Sequence, residues 1–125
     1  MSLIISDVFE ELKMPTLTTK YTKVYVEKEH KYNAKHRFIV ARAEDGEKIA
    51  DIHFQEGPIK ECGVNGVANE DLLNMVLCRL KHFQDSPYKC YENQAAIEYI
   101  ETALEWLKAR TNKRAEEGKE GTSQV

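Results

Sequence analysis

Two apolar seams in the second half of the chain limit its fold more than any other feature. Leu73, Val76, Leu80 and Phe83 recur at steps of three, four and three, and Ile97, Ile100, Leu104 and Leu107 repeat the same steps. Such steps place side chains on one face of an α-helix. The link between them, Asp85 to Cys90, is short, so the spacing predicts an antiparallel helical hairpin over residues 69–115. Asn69 is the predicted N-cap of the first helix, with Glu70 and Asp71 in a first turn where the helix dipole favours acids.

The first half has a different period. Tyr21–Glu27, His36–Arg42 and Lys48–Phe54 alternate β-branched or aromatic residues with polar ones, which suits strands with one wet face. Asp45-Gly46 between the last two is a hairpin signal. Upstream, Ser6 to Met14 reads as a short amphipathic helix capped by Ser6 and closed by Pro15. The expected fold class is α+β: a small N-terminal antiparallel β-sheet followed by a C-terminal antiparallel two-helix hairpin. The 125 residues are read as one domain, with short helix and sheet over 1–56, a connector over 57–68 and the hairpin over 69–115. Residues 116–125 have almost nothing to bury and are expected to form a flexible tail.

A formal net charge of −3 argues against a general binder of nucleic-acid polymers. No apolar run approaches the roughly 18 residues that span a bilayer, so no membrane association is expected. The start has no basic stretch and too short an apolar one for a signal peptide, which predicts a cytoplasmic protein. Cys62, Cys78 and Cys90 are odd in number and without CxxC spacing, so free thiols are expected. The four histidines form no ligand pattern, and neither a metal nor a cofactor is expected.

Catalytic signals are weak. Glu98, Glu101 and Glu105 share a helix with Lys108 and Arg110, the pattern of a solvated face. Cys78 and His82 are helical neighbours, but Cys78 lies beside the apolar seam, where cysteine behaves as a small hydrophobe. There is no Walker or Rossmann loop; Gly63-Val64-Asn65-Gly66 could make a small anion nest or an ordinary turn. Arg110 and Arg114, four apart, can clamp phosphates or simply favour a helix C-terminus. Phe83 is either seam or stacking surface, and Asn93 is either a cap or a hydrogen-bonding edge for an adenine.

These residues also carry a resemblance. Phe54 to Glu61, Gly63 to Val67, Asn69 to Leu73, Arg79-Leu80, Phe83-Gln84, Glu92-Asn93, Trp106-Leu107, Arg110-Thr111 and Arg114 are similar to the Thoeris anti-defence sponge family of phages. That family's helical hairpin is shared with sponges that block cyclic-oligonucleotide (CBASS) signalling. The resemblance covers about residues 52 to 122; in the family's Gly-Val-Glu-Gly-Thr tail pattern, Lys119 here replaces the valine. It implies a non-catalytic homo-oligomer (a dimer or multiple of dimers) in the bacterial host's cytoplasm, holding glycocyclic ADP-ribose. By position, Phe83 and Asn93 would hold the nucleoside part and Arg110 and Arg114 the pyrophosphate. The resemblance also implies a separate site for cyclic di- or trinucleotides in some members; Asn65 and Gly66 in the connector are candidates for it.

Seventeen residues separate Asn93 from Arg110, or about 25 Å along a helix rising roughly 1.5 Å per residue. No single cyclic nucleotide spans that within one chain. Either these residues do not share a ligand or the site is composite; the expected site is the composite one, with Phe83 and Asn93 of one protomer beside Arg110 and Arg114 of its partner. Two other readings compete: an enzyme that cleaves the same signal, and a purely structural hairpin oligomer.

Overall fold

The structure, a computed structural model, describes residues 7–125. They form two compact units, one ending at Gly66 and one beginning at Val67, so the division falls inside the expected connector.

The first unit is an antiparallel meander in the order β1 (Phe9–Glu11), β2 (Thr22–Glu27), β3 (Arg37–Arg42) and β4 (Lys48–His53). The Asp45-Gly46 turn joins β3 to β4 as expected: Gly46 takes a φ of 76°, and the Arg42 guanidinium holds Glu44, Asp45 and Glu47 around it. Tyr25 pairs with Ile39, and with Ala41 and Phe9 they make the core of one sheet face. Val26 and Phe38 lie on the other face, where the Phe38 and Phe54 rings meet edge to face at 5.6 Å. Adjacent residues on a strand point to opposite faces, yet Tyr25 and Val26 are both buried. The expectation of one wet face thus fails for β2, which is covered on both sides.

The expected helix from Ser6 to Met14 is also corrected; Ser6 itself lies outside the described residues. Phe9–Glu11 is a strand whose neighbours extend the ladder, Lys28 N–H donating to the Val8 carbonyl and Leu12 N–H to that of Val24. A nine-residue helix is too short to persist on propensity, and pairing with β2 satisfies the same backbone groups while placing Phe9 on the core.

After Gly57 (φ 86°) the chain makes the single turn α1 (Ile59–Cys62). Asn65 closes this loop: its carboxamide takes the Glu56 N–H and donates to the Glu56 carbonyl, both at 2.8 Å. Gln55 bonds the Gly57 and Gly63 carbonyls and accepts the Asn65 N–H. Gly66 passes so close to the backbone that a Cβ there would sit 2.5 Å from the carbonyl oxygens of His53 and Phe54.

The second unit is the predicted hairpin, α2 (Asn69–Gln84) against α3 (Tyr91–Glu116). The predicted cap shifts by one residue. Ala68 occupies the N-cap, and the Asp71 carboxylate returns to its N–H at 2.8 Å. The link is held by Gln84, whose carboxamide pairs with both backbone groups of Cys90. In α3 the less exposed positions include Asn93, Ile97, Ile100, Leu104, Leu107, Thr111 and Arg114, all at steps of four and three. In α2 the stripe runs through Leu73, Leu77, Leu80 and Gln84, while Val76 is 47% exposed.

Candidate ligand-binding site

The four residues expected to meet the ligand all lie in the second unit. Phe83 is in the last turn of α2 and Asn93 in the first turn of α3, so both flank the link. Arg110 and Arg114 stand toward the opposite end of α3. The helix is continuous from Tyr91 to Glu116, so the separation of about 25 Å between Asn93 and Arg110 applies. Asn93 and the two arginines therefore stand toward opposite ends of one helix.

The structure sorts the alternatives for these residues. Cys90 is the N-cap of α3, so Asn93, on the inward stripe three residues into the helix, is not a cap. Among the described residues its carboxamide has no hydrogen-bond partner. Arg110 lies six residues before the last helical position, outside the final turn where a cation meets the dipole. Its guanidinium is exposed and, among the described residues, unpaired.

Arg114 differs. Its Nη2 donates to the carbonyls of Lys119 (3.0 Å) and Thr122 (3.2 Å) in the chain beyond the helix. The N–H groups of Nε and Nη1 keep no partner among the described residues. The tail expected to be flexible is tied down by these bonds, by Lys119 N–H donating to the Arg114 carbonyl, and by Thr122 Oγ1 donating to that of Lys119. Composition gives no sign of these bonds, because they run to a residue outside the tail.

Phe83 is 37% exposed, and the Arg79 guanidinium lies 5.2 Å from its ring centroid. An exposed contact of this kind contributes about 0.5–1 kcal/mol and fixes the ring's orientation. Spacing alone points to this neighbour, since residues four apart share a helix face. In the connector, Asn65 has its carboxamide paired with Glu56 and Gly66 permits a close backbone approach, which gives both a structural role.

Nucleophilic chemistry finds no support at Cys78 and His82. The ring Nδ1 is 3.8 Å from the thiol but 3.0 Å from the Cys78 carbonyl. Donating to that carbonyl requires a proton on Nδ1, which then cannot take the thiol proton.

The Acb2/Tad1 hairpin domain matches residues 47–112. A Bacillus phage SBSphiJ7 protein, Thoeris anti-defense 1, is 39% identical over an alignment covering 90% of this chain and 96% of its own. The chain belongs to the Thoeris anti-defence sponge family. The family match begins just before β4 and includes Phe83, Asn93 and Arg110; Arg114 lies two residues beyond it. In this family member the hairpin thus carries three of the four candidate residues inside the matched region. Among the described residues no helix is long and apolar enough to cross a membrane.

Proposed function

We propose that the chain binds glycocyclic ADP-ribose without cleaving it and so withholds the signal of Thoeris defence inside the host cell. The observation that carries this is a pair of polar groups on α3 without a hydrogen-bond or ion-pair partner among the described residues: the Asn93 carboxamide and the Arg110 guanidinium. Such groups, with an aromatic ring at the same end of the hairpin as Asn93 and a second arginine one turn from Arg110, suit a ligand with a base and a pyrophosphate. Kinship with a protein named for anti-Thoeris activity supports the same ligand class.

The site is composite in this reading, built from one protomer's link end and its partner's Arg110 and Arg114. The surface of the hairpin supports oligomerisation. Ile97 is the one buried residue described in the second unit, whereas Tyr99 and Trp106 stand 78% and 73% exposed two turns apart on α3. Large aromatic area left open along a hairpin is what a second copy covers.

Incubating the protein with glycocyclic ADP-ribose, denaturing it and assaying the released compound tests sequestration. Intact ligand at full recovery is expected; a linear or hydrolysed product would mean an enzyme. Calorimetry against cyclic ADP-ribose isomers and cyclic di- and trinucleotides tests the ligand class. Binding of the oligonucleotides alone would move the protein to CBASS signalling, and no binding at all would leave a structural oligomer.

A further inference from the structure

Arg114 is fastened by the segment that follows it, and the fastening has more parts than ending a helix requires. The helix is already stopped by backbone bonds: Gly118 N–H to the Ala115 carbonyl, and Lys119 N–H to that of Arg114, with Gly118 at a φ of 73°. Beyond these, the chain doubles back so that two carbonyls, three residues apart, converge on one nitrogen of the guanidinium. The loop presenting them has its own ties. Thr122 Oγ1 and N–H both donate to the Lys119 carbonyl, and Gln124 N–H donates to Thr122 Oγ1. The Lys119 ammonium reaches the Val125 oxygen at 2.8 Å and the Glu117 carboxylate at 3.6 Å. The lysine that replaces the expected valine is thus part of the fastening.

We infer that residues 117–125 are a positioning element for the anion clamp, holding the Arg114 guanidinium in one orientation before a pyrophosphate arrives. This rests on the proposed role of Arg114 in ligand binding. An arginine free in solvent loses side-chain entropy when it is ordered on a ligand; one already held by two carbonyls does not lose it again. The carbonyls occupy Nη2 only, so Nε and Nη1 still face an incoming oxyanion with N–H groups to donate. The tail itself supplies no charge to the ligand and acts through Arg114.

A double-mutant cycle tests this, with affinity for glycocyclic ADP-ribose read by calorimetry and melting temperature read beside it. Gly118→Ala strains the reversal through its positive φ, although a Cβ there meets nothing within 4 Å. Thr122→Val removes the hydroxyl tie. In the wild-type background the pair should weaken binding about three- to tenfold, the scale of ordering one side chain. With Arg114→Lys, whose ammonium lacks the Nε and Nη1 donors that the fastening leaves to an oxyanion, the tail substitutions should cost no further affinity. Equal losses in both backgrounds, or tail variants that bind like wild type, would overturn the inference. Wild-type affinity in Arg114→Lys together with Arg114→Ala would instead overturn the clamp on which it rests.

Discussion

Arg110 and Arg114 are one helical turn apart and differ in every contact. Arg114 is engaged by carbonyls of its own chain, whereas Arg110 is open. Arg110→Ala is therefore expected to cost about 1.5–3 kcal/mol of binding, the scale of a charge-assisted hydrogen bond, and to leave the melting temperature unchanged. Arg110→Lys should recover only part of this, since an ammonium lacks the planar fork. Loss of stability without loss of affinity would return Arg110 to an ordinary surface role. Asn93→Ala makes the complementary case. A lost N-cap costs about 1 kcal/mol of stability; with Cys90 as the cap, thermal melts of the variant should show less than that while titrations show weaker binding. In the first unit, Glu56 gives a pH prediction. The hydrogen bond from His53 at 3.0 Å, aided by the charges of His36, His53 and Lys31, holds its carboxyl below the usual range against a smaller opposing desolvation. A folded-state value below the unfolded one adds stability above the usual carboxylate range, and that stability is lost as pH falls through the folded value. Denaturant midpoints of Glu56→Gln should thus change less with acidification than those of wild type. An unchanged pH dependence would show that this bond does not couple to folding.

At the scale of elements, the connector gives the strictest test of packing. Gly66→Ala puts a methyl group 2.5 Å from two backbone carbonyls that cannot move aside. Overpacking of this kind costs about 1–3 kcal/mol, and urea unfolding should show it; a wild-type midpoint would mean the loop is not closed as described. The same elements show how far the sequence could be read. Three strands, the Asp45-Gly46 hairpin and both long helices were legible because period and turn chemistry agree there. Phe9–Glu11 was not, because its conformation comes from pairing with β2, a partner distant in sequence. The seam of α2 was legible as a helix but not as a face. Leu72, Leu73, Met75, Val76, Leu77 and Leu80 surround much of the cylinder, and only packing against α3 selects Leu77 over Val76. For the site, spacing left Arg110 and Arg114 equivalent; they separate only once α3 is seen to run to Glu116 and the tail to fold back. Asn93 lost its capping role for a similar reason, since the helix starts two residues before it.

For the whole molecule, the proposed function requires two ends of one helix to serve one ligand through a partner. If the site is composite, every pocket of a symmetric dimer takes Asn93 from one protomer and Arg110 from the other, so lesions at the two positions are separable by mixing. Arg110→Ala is the better second lesion, because Arg114→Ala would also release the tail. The deciding measurement is a titration of glycocyclic ADP-ribose into a mixture of Asn93→Ala and Arg110→Ala proteins after subunit exchange. Heterodimers then hold one pocket with both lesions and one with neither. The composite site predicts that affinity returns to the wild-type value, with about one intact pocket per heterodimer. A mixture that fails to bind after exchange has been verified would contradict it and confine these residues to separate roles.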